Sequence, residues 1–380
     1  MDDLKSSISF VIPCLNEQET LPEVLAKIKR VCETDFKQRR TEIIVSDNNS
    51  TDNSVKIAEE HGARIVNCAE RGYGAALLCG IRNAACETVI FADADNTYDF
   101  LEAPKLISEL EKGFDLVIGS RLQGCIHPGA MPFLHRYLGT PFLNWLLNLL
   151  YAKKNNKIAD CNSGFRCFRR DSFLSWGVKS FGMEFASEML IKALKADARI
   201  SHVPISLYPD VRHRVPHLKR WRDGMRHLLQ IFLDCPQFFA AAGLVIFCIS
   251  WLVMALGLRF GPVQIGFVWV LGVHSMMFAL LGSLFGITIW SVGLFLTARI
   301  RTTIKAYSYF IEMSEDKLFW VSFGLTVVSL ALFLAIVIYW GVKGFRLISL
   351  EKQTLAVIAF ASNSLLLVSS VVTAHLLKRS

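Results

Sequence analysis

Thr88-Val-Ile-Phe-Ala-Asp-Ala-Asp95 is a short apolar run that ends in two aspartates one residue apart. Such a run bounded by turn residues reads as a buried strand. A strand end fixes the backbone and aims both carboxylates, Asp93 and Asp95, into one cleft. Hard oxygens of this kind suit Mg²⁺ or Mn²⁺, ions commonly shared with the phosphates of a nucleotide. Alone the pair is a weak signal, because Asp is common in turns and at helix N-caps.

Toward the N-terminus, the same pattern repeats. Ser9–Ile12 is an apolar run closed by Pro13, and Glu42–Val45 is another, closed by the turn-rich Asp47-Asn-Asn-Ser-Thr-Asp52. Leu21, Val24, Leu25, Ile28 and Val31 recur at helical spacing between them. Helices over about 53–61 and 74–85, a strand over Ala63–Val66 and a further strand over Asp115–Gly119 complete the alternation. This order predicts an α/β fold, a mostly parallel sheet with helices on both faces. Ligands of such folds bind beyond the carboxyl ends of the strands, where the polar motifs of this chain lie.

Toward the C-terminus the composition changes. The chain of 380 residues is 52% hydrophobic and 19% charged, and the apolar excess begins near residue 236. Spans over 237–258, within 264–297, over 318–340 and over 354–377 each reach the ~20 residues that a helix needs to cross a bilayer. The second is overlong and carries His274 and Ser275 near its middle, which predicts a broken or strongly tilted helix. Arg299, Arg301 and Lys305 follow the second span, and Lys378 and Arg379 the fourth, as a cytoplasmic N-terminus requires. Lys343, Arg346 and Lys352 fall on the opposite side and weigh against it. Met-Asp-Asp opens the chain without a signal peptide, which predicts that the first domain stays in the cytoplasm. Between the halves, Leu218, Trp221, Met225, Leu228, Leu229 and Phe232 share one helical face, with Lys219, Arg220, Arg222 and Arg226 on much of the rest. That pattern predicts a helix lying in a membrane interface; the alternative is a connecting helix packed on the first domain.

The formal charge of +8 fits a membrane surface. The basic residues follow no nucleic-acid-binding motif, so a nucleic-acid partner is excluded. The ten cysteines form no C-x-x-C pair, and Cys161 and Cys167 lack a second pair nearby, so reduced, buried thiols are expected in place of zinc.

Taken together, Pro13-Cys-Leu-Asn-Glu17, Asp47–Asp52, Asp93–Asp95, Gly119-Ser-Arg121 and Ser163-Gly-Phe-Arg166 stand in an order and spacing that resembles the family 2 glycosyltransferases of the GT-A fold. Within them, the polyprenyl-phosphate mannose and glucose synthases are the nearest pattern. The resemblance covers about residues 6–230. It implies a GT-A catalytic domain over 1–215, an interface helix over 216–234 and a four-helix transmembrane domain over 235–380. It also implies that Pro13, Leu15, Glu17 and Asp47 line the base and ribose pocket of a UDP-glucose or GDP-mannose type of donor. Gly72 and Gly74 would let backbone approach that donor, and Asp93 and Asp95 would hold Mg²⁺ or Mn²⁺ on its diphosphate. Family members often carry Gln two places after the second Asp; here Thr97 stands there, which leaves the third metal ligand open. For a lipid phosphate, the resemblance offers Arg121 and Arg136, with hydroxyls from Thr140 and Ser163, and with Arg212, Arg214 and His217 ahead of the interface helix. Arg169 and Arg170 read as surface charges.

The implied reaction is direct displacement with inversion at the sugar's anomeric carbon. The nucleophile is a phosphate oxygen already ionised at neutral pH, so no strong base is needed. Asp95 and Arg121 are then the catalytic candidates, with Asp160 the nearest carboxylate if a base is used. Two other classes fit less well. A processive polysaccharide synthase usually carries Q-x-x-R-W, where this chain has His217-Leu-Lys-Arg-Trp221. A non-catalytic nucleotide-sugar-binding scaffold would not need the intact aspartate pair. Gly282, Gly286 and Gly293 offer close helix packing that would allow protomers to pair into a homo-oligomer.

Overall fold

The computed structural model describes residues 7–153, 156–210, 220–265, 268–300, 304–343 and 351–379. Two compact units divide the chain, Met1–Phe232 and Leu233–Ser380.

The strands of the first unit are β1 (Ile8–Cys14), β2 (Thr41–Asp47), β3 (Arg64–Asn67), β4 (Thr88–Phe91), β5 (Leu116–Ile126), β6 (Arg166–Arg169) and β7 (Ile200–Leu207). They form one seven-stranded sheet in the order β3-β2-β1-β4-β6-β5-β7. β1 lies between β2 and β4 with all three parallel, β6 runs antiparallel to β4 and β5, and β7 is parallel to β5. Every residue of β1 is buried, as a central strand covered on both faces requires.

Side chains alternate between two cores. Ile8, Phe10, Ile12, Ile90 and Val117 join one cluster. Helices α1 (Leu21–Thr34), α2 (Ser54–Glu60) and α4 (Ala103–Glu111) contribute to it. Val11, Val89, Phe91, Leu116 and Ile118 point the other way. There they meet α3 (Tyr73–Asn83), α5 (Thr140–Tyr151), α6 (Arg170–Trp176) and α7 (Phe185–Lys195). The apolar stripe expected on α1 is buried along its whole length.

Three features of this unit go beyond the sequence reading. β5 does not stop at Gly119. It shifts register between Ser120 and Cys125 and rejoins β7, pairing Ile126 with Leu207. The polar run Arg121–Gly124 hid that continuation. Second, α5 buries Leu143, Leu146 and Leu147, yet Phe142, Trp145 and Leu149 on its far side are exposed. Leu134, Tyr137 and Leu138, in and beside the π-helical turn His135–Gly139, extend this apolar ridge. Third, the apolar face of α8 (Arg220–Leu233) is divided. Leu228, Ile231 and Phe232 pack on the first unit's core, while Met225 and Leu229 stay exposed. Ser187 Oγ and His227 Nδ1, at 2.7 Å, and a bond from Tyr151 Oη to the Ile231 carbonyl fasten the buried side. Residues 216–219 of the expected interface helix lie outside the described residues, as do Arg301 and Arg346.

The second unit contains four helices long and apolar enough to cross a membrane. They are α9 (Pro236–Phe260), α10 (Val273–Ile300), α12 (Glu315–Val342) and α13 (Glu351–Arg379), with the short α11 (Lys305–Ile311) before α12. The overlong second span resolves into a small hairpin followed by α10. Strands β8 (Val263–Ile265) and β9 (Val268–Val270) pair antiparallel, and His274 is the second residue of α10, far from its centre. Two of the basic residues that weighed against the topology are engaged locally: Lys352 Nζ donates to the Gly257 carbonyl at 3.3 Å, and Lys343 lies 5.8 Å from the Tyr339 ring centroid. α13 is tied to α10 by Asn363 Nδ2 donating to Ser283 Oγ at 2.9 Å.

The glycines are used inside the chain. A Cβ on Gly243 would stand 2.5 Å from the Trp290 nitrogen and 2.6 Å from the Gly286 carbonyl, and one on Gly286 2.7 Å from the Phe247 nitrogen. Gly282 and Gly293 likewise meet Ser250 and Pro236 of the same chain. Backbone cannot yield as a side-chain tip does, so larger residues here force α9 and α10 apart. Gly286→Leu should lower the unfolding midpoint of the detergent-solubilised protein by several degrees. Gly324→Ala, where nothing lies within 4 Å, should leave it within about a degree; differential scanning fluorimetry compares the two.

Candidate active site

The polar ends of β1, β2 and β4 converge. Two loops are laced together first: Asn16 N donates to Ser50 Oγ at 3.0 Å, Glu17 N to Ser54 Oγ at 2.8 Å, and Thr51 N to Asn16 Oδ1 at 2.7 Å. Asp47 accepts from the backbone of Asn49 at 3.1 Å and Ser50 at 3.2 Å, an Asx turn that closes β2. Thr20 Oγ1 then donates to the Ala94 carbonyl at 2.8 Å, joining this assembly to the Asp93–Asp95 segment.

Each aspartate is oriented by its own donors. Asp93 Oδ1 accepts from Tyr73 Oη at 2.8 Å, and a Cβ on Gly164 would stand 2.8 Å from Asp93 Oδ2. Asp95 Oδ1 accepts from Thr97 Oγ1 at 2.6 Å and Thr97 N at 3.1 Å. Asn96, between Asp95 and Thr97, takes a left-handed φ of 59°, as a residue of its type tolerates, and Lys27 Nζ donates to its Oδ1 at 2.9 Å. Burial first, and the charge of Asp95 second, push the Asp93 carboxyl up to about 7. The Tyr73 hydrogen bond and Arg121 oppose that rise.

Arg121, where β5 leaves the core, is held by Asp160 in a two-pronged pair. Its Nε and one terminal nitrogen donate to the two carboxylate oxygens at 2.8 and 2.7 Å, and its backbone N–H adds a third bond at 3.0 Å. The side chains are 11% and 0% exposed. Burial works against the guanidinium's charge, but Tyr98 and Asp160 outweigh it and push its pKa above the ordinary value. Behind the pair, the fully buried Arg166 donates to the carbonyls of Ser163, Ala186 and Cys161 at 3.0, 2.9 and 2.8 Å. It stitches the Asp160–Ser163 turn to α7. Gly164 N donates to Tyr98 Oη at 2.8 Å, closing the turn against the aspartates.

A glycosyl transferase family 2 model matches residues 9–176. An uncharacterized glycosyltransferase of Mycobacterium tuberculosis is 34% identical over 206 residues, which cover 53% of this chain and 86% of that protein. The chain belongs to glycosyl transferase family 2. The low-salt glycan biosynthesis hexosyltransferase Agl6 of Haloferax volcanii is 36% identical over 266 residues, 70% of this chain and 62% of the relative's length. A dolichyl-phosphate hexose transferase of the same organism is 29% identical over 202 residues, 52% of this chain and 81% of that protein. Among solved structures, glucosyl-3-phosphoglycerate synthase from Mycobacterium tuberculosis, in complex with Mn²⁺, UDP and glucosyl-3-phosphoglycerate, aligns over 60% of this chain and 80% of that one, with 23% identity and a TM-score of 0.48.

Within this family 2 domain, Asp93, Asp95, Arg121, Asp160 and Ser163 are brought together at the sheet's polar end. Several serve the protein rather than a ligand. Ser163 Oγ donates to the Gly119 carbonyl at 2.5 Å, so its hydroxyl proton is committed to joining β5 to the turn. Gly72 and Gly74 make room for the protein's own backbone: a Cβ would stand 2.1 Å from the Phe181 carbonyl oxygen and 2.3 Å from that of Ser180. Asp160 is enclosed by Arg121, an arrangement that orients a cation and leaves little room for a base. Thr97 supports Asp95 from behind. Arg136 stands 5.3 Å from the Tyr137 ring centroid on the apolar ridge, and Thr140 is buried at the start of α5. Pro13 and Glu17 are both buried, Glu17 beside Thr20. Leu15 is partly exposed at the same strand end. Arg212, Arg214 and His217 lie outside the described residues. Lys27, Tyr73, Tyr98 and Arg166 were not singled out by sequence, since each acts through a partner distant in the chain; Arg166 alone stood inside a quoted motif.

Among the described residues, no three His, Cys, Asp or Glu side chains are grouped so as to hold a metal ion. Two like-charged carboxylates, one with its proton affinity raised by the other, are nonetheless what a cation would relieve. An acid whose pKa is higher folded (about 7) than unfolded (about 4) gives the folded state the extra proton, so its stability falls as pH rises through that window. In chelator, the unfolding midpoint of the whole protein should therefore drop between pH 5 and 8 more steeply than in the Asp93→Asn variant, as scanning fluorimetry would read; equal slopes would contradict the raised value.

Proposed function

We propose that this chain is an inverting glycosyltransferase that moves one sugar from a nucleotide-sugar donor, of the UDP-glucose or GDP-mannose type, to polyprenyl phosphate at the cytoplasmic face of a membrane. The observation that carries this reading is one cluster: Asp93 and Asp95 beside a buried guanidinium, Arg121, aimed by Asp160. That cluster belongs to a family 2 domain on the same chain as four membrane-length helices. A relative named as a dolichyl-phosphate hexose transferase supports the acceptor class. The exposed ridge of α5 supports it too, since an apolar helix face of this kind suits a membrane surface.

On this reading, Asp93 and Asp95 would hold Mg²⁺ or Mn²⁺, which would supply positive charge against that building on the leaving diphosphate. Pro13, Leu15, Glu17 and Asp47 border the base and ribose. The acceptor's phosphate oxygen forms the new bond to the anomeric carbon as the bond to the nucleoside diphosphate breaks. Arg has five N–H donors, and Asp160 takes two from the side chain of Arg121, which leaves three for phosphate oxygens. Arg136 adds a second cation at the border of the ridge, with Thr140 one helical turn on. A phosphate nucleophile needs no general base, so Asp160 acts as a positioning residue.

Full-length protein in detergent, given undecaprenyl or dolichyl phosphate, Mn²⁺ or Mg²⁺ and radiolabelled UDP- and GDP-sugars, should place label in one organic-soluble, acid-labile product. Chelation, or Asp95→Ala, should reduce that transfer by at least about a hundredfold. A growing water-soluble polymer would instead indicate a polysaccharide synthase, and nucleotide binding without transfer a scaffold. Asp160→Asn keeps the shape but weakens the hold on Arg121. It should raise the acceptor KM roughly tenfold or more while UDP affinity, measured by calorimetry, stays within about twofold. A rate lost at saturating acceptor with unchanged KM would assign Asp160 to proton transfer instead.

A further inference from the structure

At the ends of β5 and β7, two aromatic rings are stacked beside the aspartate cluster. His127 and Tyr208 have centroids 4.4 Å apart and planes inclined by 17°. Both rings are mounted on backbone bonds: His127 N donates to the Leu207 carbonyl at 3.0 Å, and Tyr208 N to the Thr97 carbonyl at 2.9 Å. Thr97 is the residue that supports Asp95, and Tyr98 beside it bridges to Leu207. The stack is thus one backbone bond away from the aspartates. Among the described residues, neither the imidazole nitrogens of His127 nor the hydroxyl of Tyr208 has a hydrogen-bond partner, and Tyr208 is 36% exposed. Six residues after His127, at Phe133, the exposed apolar ridge begins. The rings therefore stand at the border between a polar site and an apolar surface, where amphipathic rings with one wet edge are favoured.

We propose that the His127–Tyr208 stack is part of the acceptor site and receives the phosphate head of a lipid phosphomonoester, with the imidazole N–H and phenol O–H as donors to its oxygens. This rests on the lipid-phosphate reading given above. The stack fixes both rings before the ligand arrives, so little side-chain freedom is lost on binding. It also adds donors mounted at the ends of β5 and β7 to those of Arg121, so that the head group is gripped from two strands.

The test uses the full-length protein in detergent with farnesyl phosphate as acceptor and the donor that the wild type accepts. His127→Phe and Tyr208→Phe each keep an aromatic ring in the stack and remove one polar edge. Each should raise the KM for farnesyl phosphate by about five- to tenfold, and the double variant further. The affinity for UDP with Mn²⁺ and the unfolding midpoint should stay within about twofold and two degrees. An unchanged acceptor KM in the double variant, with the wild type active, would overturn this inference and leave the proposed reaction standing. Equal weakening of acceptor and UDP would also overturn it, since that marks a role in holding the strand ends. A wild type that transfers to no lipid phosphate would overturn both readings together.

Discussion

The Arg121–Asp160 pair is the constraint on which the rest of the site depends. A guanidinium this deeply placed is costly to bury unless its charge is met by good geometry. Asp160 meets it with two side-chain bonds and a third to the backbone of the same residue, so the turn after residue 160 is fixed to β5. Everything downstream inherits that position. Ser163 clamps Gly119, Gly164 presses on Asp93, and Arg166 binds the turn to α7.

The aspartates illustrate a second balance. Two carboxylates one residue apart repel each other, and burial sharpens the repulsion. The surroundings orient both carboxylates through hydrogen bonds. They supply neutral donors, Tyr73 to one and Thr97 to the other. Each donor fixes one oxygen without adding charge. Lys27, on α1, acts one step removed by fixing the left-handed Asn96 that follows Asp95.

The second unit follows a different logic. With no hydrophobic drive between helices in lipid, close backbone approach and a few polar contacts hold the bundle. Gly243 and Gly286 provide the first and Asn363–Ser283 the second. α12 buries no residue and packs on α13, which suits a helix whose surroundings are hydrocarbon.

The sequence by itself determined the fold class, the strand ends that carry the polar motifs and the four membrane-length helices. Each of these follows from local composition: β1 and β4 are largely apolar, and the α9, α12 and α13 runs are long enough to stand alone. It also brought out Asp93, Asp95, Arg121 and Asp160, because their motifs are contiguous. Tertiary structure alone decided what those residues face. Gly72 and Gly74 answer to a loop more than a hundred residues away, Ser163 and Thr97 spend their hydroxyls on neighbours, and the second span gives up its first residues to a hairpin. The glycines of α10 pack within the chain, and α5 presents one face inward and one outward although its sequence is apolar on both. Hydrophobic period records which residues avoid water; which partner each polar group and each glycine meets is set only when distant segments close on one another.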